Sequence, residues 1–239
     1  MTEIVEKWAE RDGVRLHYLL GNEETGARTP LFFVPGGLGA AEDYLQDIPE
    51  FAPRTVLAMS LRGQGRSDAP ASGYALADFA GDLAAVVAQC GVKRPCLMAY
   101  SMAVPIALAY AAQHPQQPGG LILGDYPAHY PKIPEEWVDN AVFQLGRLHQ
   151  RHVMEAIQRE SAEEALWERL PAITCPVLVL RGGKPGARLS EADAARYQEL
   201  LPRCRVLTFP YSDHALWEPD PQQFINAIKI FLAELDTAV

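Results

Sequence analysis

Three short stretches of the chain place reactive or charge-stabilising groups where chemistry could be done. In "MAYSMAVP" (98–105), Ser101 lies between an apolar run and an Ala-rich helical pattern. A sharp strand-to-helix turn pushes a serine hydroxyl out above a sheet, with helix N–H groups and the positive end of the dipole behind it. Such a turn needs small residues two positions before and two after, where backbones crowd, and these are Ala99 and Ala103. Proline is tolerated only in the first turn of a helix, so Pro105 makes the helix begin at about Met102. A serine that only caps the helix would have the same local sequence, and the octapeptide leaves both readings open. "LFFVPGGLGAAEDY" (31–44) ends a strand in glycines. Such a loop can bring a backbone N–H, here that of Gly37, close to a developing oxyanion, with the N–H of Met102 as second donor. The alternative is that the glycines serve a tight turn alone. Their spacing fits neither G-x-G-x-x-G nor a P-loop lysine. "YSDHALWEPDPQQF" (211–224) sets His214 between the final strand and the last helix. That loop belongs to the carboxyl edge of the sheet, where ligands bind in open α/β folds. Of the other histidines, His17 falls in an early strand, His114 at a helix end, and His129, His149 and His152 in an insertion.

The elements that must position these groups alternate. "RLHYLL" (15–20) reads as an early strand, followed by the turn-rich link "GNEETGARTP". "LFFV", "TVLAMS" and "CLMAY" are continuous apolar runs, as strands buried on both faces would be. "YALADFAGDLAAVVAQCG" has helical spacing and stops at Gly91, and "MAVPIALAYAAQHP" is a helix closed by Pro115. "GGLILGD", "CPVLVLRGG" and "CRVLTFP" supply three further strands, and "DPQQFINAIKIFLAEL" a terminal amphipathic helix. The alternation predicts an α/β fold, a mostly parallel twisted sheet with helices on both faces. From Tyr126 to about Ala172 no strand run occurs, only helix-like segments around Glu135–Arg147 and His149–Leu170. Residues 1–125 and 173–239 therefore form the core, and 126–172 a short helical cap insertion.

A chain of 239 residues, 49% hydrophobic, suits one domain with an insertion. A net charge of −9 with no basic block argues against a nucleic-acid partner. Cys90, Cys96, Cys175 and Cys204 form no C-x-x-C pair and read as buried small hydrophobes in a reducing compartment. "MTEIVEKWAERDG" has no apolar run of a signal peptide, and no segment approaches the ~18 apolar residues of a membrane span. A cytoplasmic protein is expected.

Taken together, "VPGGLG", "LRGQGRSDAP" (61–70), "AYSMA", "PVLVLRGG" and "DHALWEPDPQQF" resemble the α/β-hydrolase superfamily from end to end. Four positions depart from its pattern: Pro35 and Gln64 stand where histidines are usual, and Ala99 and Ala103 where glycines are. The acid departs further. Many relatives carry it in the loop that here reads "RGGKPGARLS", which has no carboxylate before Glu191 in the next helix. A histidine base without a carboxylate loses tautomer control. In "LILGDYP", Asp125 ends the strand after the elbow helix, and a subset of the superfamily places its acid there. The alternative is that Asp125 only caps the entrance to the insertion. Asp213 adjoins His214 in sequence, which makes a bond to the correct ring nitrogen awkward. The order Ser101, Asp125, His214 is the one expected of this fold.

The resemblance implies a serine hydrolase, with Ser101 as nucleophile, His214 as base, Asp125 as acid and Gly37 and Met102 as the oxyanion hole. It implies a small acyl substrate, an ester or a related compound, and no metal or organic cofactor. Gly36, Leu38, Trp137 and Trp217 are candidate pocket residues. Trp137, Phe143, Met154 and Trp167 also suit the apolar underside of the insertion, and Trp217 either the site or the core. Arg62 reads as a loop anchor or, alternatively, a substrate clamp. Two other functions stay open: a cofactor-free dioxygenase or C–C or amide bond hydrolase of the same fold, and a non-catalytic ligand-binding or scaffold protein.

Overall fold

The computed structural model describes residues 3–22, 28–145 and 150–237. In chain order these give β1 (Ile4–Arg11), β2 (Val14–Gly21), β3 (Leu31–Val34), β4 (Val56–Met59), α1 (Leu76–Gln89), β5 (Cys96–Tyr100), α2 (Ala103–Gln113) and β6 (Gly120–Gly124). Then follow β7 (His129–Tyr130), α3 (Glu136–Leu145), α4 (Arg151–Glu160), β8 (Glu164–Ala165), β9 (Val177–Gly182), α5 (Glu191–Leu200), β10 (Cys204–Phe209) and α6 (Pro221–Thr237). Short 3₁₀ turns at Ala41–Tyr44 and Ile48–Phe51 lie between β3 and β4, and one at Trp167–Ala172 precedes β9.

Eight strands form one sheet in the order β1-β2-β4-β3-β5-β6-β9-β10. Pairing is antiparallel from β1 to β2 and from β2 to β4, and parallel from there to β10. The parallel strands β3, β4 and β5 are apolar on both faces because both faces are covered. Leu97, Ala99, Leu121 and Val179 pack under α1, α2 and α5, whereas Phe33, Cys96, Met98 and Leu180 pack under α6 and the two 3₁₀ turns after β3. Alternation along β5 therefore decides which layer each side chain meets.

The helices form for local reasons. Leu76, Phe79, Ala80, Leu83, Val86 and Val87 give α1 one buried stripe. Asp78 Oδ2 accepts the Ala75 N–H at 3.1 Å at its start, and Gly91 takes φ +79° just beyond its end. The Ala-rich α2 is buried all round and has no polar face to present.

The fold differs from expectation in four places. β1 was not foreseen; it closes a hairpin on β2 through Asp12 and Gly13, with φ +53° and +79°. The insertion is not wholly helical, because β7 and β8 pair antiparallel over two residues each. Its second helical segment stops at Ser161, whose hydroxyl donates to Gln158 O at 2.8 Å and accepts the Ile133 N–H at 2.9 Å. Of the four free cysteines, Cys96 and Cys175 are buried and Cys90 and Cys204 only half-buried. Part of the expected link "GNEETGARTP", the expected helix end at Arg147, and His149 lie outside the described residues. Among the described residues no helix is long and apolar enough to cross a membrane.

The chain leaves β3 toward β4 on the α6 face and leaves β5 through α2 on the opposite face. Adjacent strands whose connections diverge in this way open a crevice at their carboxyl ends. The Pro35–Gly39 loop and Ser101 stand on that crevice.

Candidate active site

Ser101 follows the last residue of β5 with φ +55°, in the left-handed region that side chains other than glycine seldom adopt. Neighbours over-determine this conformation. Its N–H donates to Gly124 O at 2.9 Å, and its carbonyl accepts the Val104 N–H at 2.9 Å. The helix starts at Ala103, one residue later than the sequence predicts, with Met102 as its αR N-cap. Pro105 is the third helical residue, where its missing N–H leaves no bond unmade. Ala99 and Ala103 are fully buried on either side of the turn.

The ends of β5 and β6 and the loop after β10 bring three side chains together. Ser101 Oγ lies 3.0 Å from His214 Nε2, and His214 Nδ1 lies 2.8 Å from Asp125 Oδ2. A carboxylate only accepts, so Nδ1 carries the hydrogen and Nε2 is left to accept from the serine hydroxyl. Asp125 is fully buried, with φ +45°. Its Oδ1 accepts the N–H groups of Gly182 at 3.1 Å and Leu189 at 3.3 Å, and its Oδ2 that of Arg188 at 2.8 Å. A buried carboxylate needs such partners, and here the loop without an acid of its own supplies them. Asp213 turns elsewhere, its Oδ1 accepting the Ala215 N–H at 2.9 Å, and Glu191 opens α5.

The glycine loop runs against the elbow. A Cβ built on Gly36 would stand 3.4 Å from Ser101 Cβ, and one on Gly37 would stand 3.2 Å from Met102 Sδ. Gly39 closes the turn by donating to Gly36 O at 2.9 Å, and there a Cβ would fall 2.8 Å from Pro35 Cβ. Glycine is required at Gly39 by packing; at Gly36 and Gly37 its effect is close approach of backbone to the serine turn.

A cavity of about 770 Å³ opens above Ser101, with Gly36, Gly37, Leu38, Met102, Trp137 and Trp217 in its wall. Among the wall residues that sequence reasoning missed are Tyr44, Tyr100, Arg188 and Phe224. Asp43 and Asp47 also border it, and burial, with the Glu50 charge adding, pushes the Asp47 carboxyl up. The insertion residues separate. Trp137 reaches the cavity and Met154 and Trp167 are buried in the core, but Phe143, expected on the apolar underside, is 87% exposed. Arg62 is an anchor: its guanidinium grips both carboxylate oxygens of buried Asp82 and the Gly73 carbonyl. Among the described residues no group of three or more His, Cys, Asp or Glu side chains is disposed to hold a metal ion.

Tyr100 had a signal in the sequence. It follows Met98 by two residues, so alternation along β5 sends its side chain to the α6 face, where the loop carrying His214 ends.

Comparison with known proteins agrees with this architecture. The family described as alpha/beta hydrolase fold matches residues 29–151. A 2-(acetamidomethylene)succinate hydrolase of Mesorhizobium japonicum is 23% identical over 225 residues, which cover 74% of this chain and 78% of that one. Among solved structures, a loop variant of the haloalkane dehalogenase DbeA from Bradyrhizobium elkanii superposes with a TM-score of 0.81 at 19% identity, covering 98% of each chain. An esterase from a Rhodococcus species superposes with a TM-score of 0.78 at 23% identity, covering 97% of this chain and 99% of its own. At these identities the superpositions establish the fold.

Proposed function

The chain belongs to the α/β-hydrolase family, and we propose that it is a serine hydrolase that cleaves a small ester or related acyl substrate through an acyl-enzyme. The observation that carries this reading is the relay Ser101 Oγ to His214 Nε2 at 3.0 Å and His214 Nδ1 to Asp125 Oδ2 at 2.8 Å. It opens on a cavity of about 770 Å³. Ser101 Oγ attacks the substrate carbonyl carbon while its proton passes to His214 Nε2. Asp125 holds the imidazolium that forms, and the N–H groups of Gly37 and Met102 receive the oxyanion. Collapse of the tetrahedral adduct breaks the bond to the leaving alkoxide or amine, which takes the proton from Nε2. Water, activated by the same nitrogen, then attacks the acyl-enzyme, and Ser101 regains its proton as the acid departs.

The wall of the cavity supports an acyl or leaving group with apolar surface, because Leu38, Trp137, Trp217 and Phe224 line it. Residues 126–172 act as a cap, with Trp137 as the contact from that segment to the cavity. Hydrolase chemistry at an acyl carbon is in keeping with the name of the Mesorhizobium japonicum relative and with the esterase among the structural neighbours. The four free thiols suit a reducing compartment, and the cytoplasm is the proposed location.

The test is fluorophosphonate labelling with the modified residue identified by peptide mass spectrometry, run beside p-nitrophenyl acetate hydrolysis and oxygen uptake. Adduct on Ser101 with ester turnover is the expected result. Oxygen consumption without labelling would replace the reading by an oxygenase, and neither activity by a binding protein.

A further inference from the structure

We propose that Tyr100 is a positioning residue for His214, tying the loop that carries the base to the strand that carries the nucleophile and fixing the imidazole plane. The inference rests on the serine-hydrolase reading above. His214 belongs to the connection between β10 and α6, and loops are the parts of a fold that move most readily. Ser101, by contrast, is fixed to the centre of the sheet. A displacement of about 1 Å between reacting groups can cost ~100-fold in rate, so the two need a common anchor.

Tyr100 supplies one by two separate contacts. Its hydroxyl donates to the His214 carbonyl oxygen at 2.7 Å, across 114 residues of sequence. Its ring lies against the imidazole with centroids 4.9 Å apart and planes inclined by 26°, a stacked arrangement that opposes rotation of His214 out of the site. Trp217 backs the tyrosine, with centroids 5.2 Å apart. The His214 carbonyl also accepts the Leu216 N–H at 3.0 Å, a bond within the loop that cannot register the loop on the sheet. Because Tyr100 immediately precedes Ser101, any shift of the nucleophile is transmitted to the base through one residue.

The chemistry of the group suits the task. Burial pushes the Tyr100 hydroxyl up, and the charges of Asp125 and Asp213 add to this against the opposing charge of Arg188, so the hydroxyl stays a neutral donor through the working range of a histidine base. The imidazolium formed during acyl transfer lies over the aromatic face, which attracts a cation. Both effects act through His214, and neither needs Tyr100 to touch the reacting carbonyl.

Tyr100→Phe removes the hydroxyl and keeps the ring; Tyr100→Leu removes both. The readouts are kcat and KM for p-nitrophenyl acetate, the melting temperature, the rate and site of fluorophosphonate labelling, and the low-field proton resonance of the His214 Nδ1–H bonded to Asp125. Tyr100→Phe is expected to lower kcat about tenfold, the size of one net hydrogen bond, with KM and melting temperature close to the parent and the resonance broadened. Tyr100→Leu is expected to lose about 100-fold and to weaken the resonance further. Parent-like kcat and a sharp resonance in both variants would overturn the inference, as would a fall in kcat with the resonance unchanged. If Tyr100→Leu does not fold, Tyr100→Phe decides alone. Absence of label on Ser101 in the parent defeats the serine-hydrolase reading instead, and the resonance still reports whether Tyr100 orders His214.

Discussion

The backbone N–H of Arg188 donates to Asp125 Oδ2 at 2.8 Å, on the same oxygen that faces His214 Nδ1. The loop after β9 therefore wraps a carboxylate that arrives from the end of β6. With Gly182 and Leu189 also donating, three N–H groups fix the orientation of the carboxylate. If Asp125 is the acid of the proposed relay, these bonds hold its Oδ2 facing His214 Nδ1.

Asp125→Asn should lower kcat by a factor on the order of 10⁴, because an amide can donate to Nδ1 and stabilise the wrong tautomer. The amide also turns one acceptor into a donor among three N–H groups, so the variant should lose about 1–3 kcal/mol of stability. Steady-state kinetics and thermal melting measure the two effects. Asp213→Asn and Glu191→Gln should stay within about tenfold of the parent, since neither carboxylate meets His214. A loss in either that rivals Asp125→Asn would move the acid.

Ser101→Ala should remove turnover by a factor on the order of 10⁶ while the protein melts close to the parent temperature. Among the described residues the hydroxyl is bonded to His214 alone, and the turn is held by the Gly124 and Val104 backbone bonds, which alanine keeps. Full activity in a folded variant would end the nucleophile assignment.

The centre of the sheet was legible because β3, β4, β5 and β6 are short apolar runs with no polar face to dilute them. β1 was harder to see: only Ala9 is buried in "IVEKWAER", an edge strand with most side chains toward solvent. The better clue was the Asp12–Gly13 pair, whose positive φ values make the hairpin turn. In the insertion, β7 and β8 are too short for any period to register, and Phe143 shows that an apolar residue at helical spacing need not face the core. At the site, Ser101, Asp125 and His214 were legible because each follows a strand that ends at the same edge. The grip of residues 182–189 on Asp125 was not, because those bonds join residues 57 to 64 positions apart.

The alanines beside Ser101 admit a direct check. Both are fully buried, and glycine at either place removes one methyl without adding a clash. Ala99→Gly and Ala103→Gly should each keep kcat/KM within about tenfold, roughly 1.4 kcal/mol in the barrier. Each should cost about 1 kcal/mol of stability through the added freedom of the unfolded chain. A larger kinetic loss at unchanged melting temperature would mean that the methyls hold the elbow at its positive φ.

The opposite edge of the sheet gives a prediction separable from catalysis. Asp236, near the end of α6, accepts from Arg54 Nη1 at 3.1 Å, Arg54 Nη2 at 2.7 Å and the Thr29 N–H at 2.8 Å, binding the last helix to the starts of β3 and β4. Burial alone would raise its carboxyl, but the Arg54 pairing and the Thr29 N–H outweigh it and hold the group below its ordinary value of 3.8. A depressed folded-state value means the stabilisation is fully present above that ordinary value and is lost as pH falls through the folded one. Asp236→Asn should therefore melt lower than the parent at neutral pH, by about 1–3 kcal/mol for charge-assisted bonds that are partly open to solvent. The gap should close as pH drops below 3.8. Thr29 precedes β3 and so lies at the amino edge, away from Ser101, and kcat at neutral pH should be unchanged. Urea unfolding across this pH range measures the gap, and a gap that stays constant into acid would show that packing of α6, not the charge on Asp236, holds this corner of the molecule.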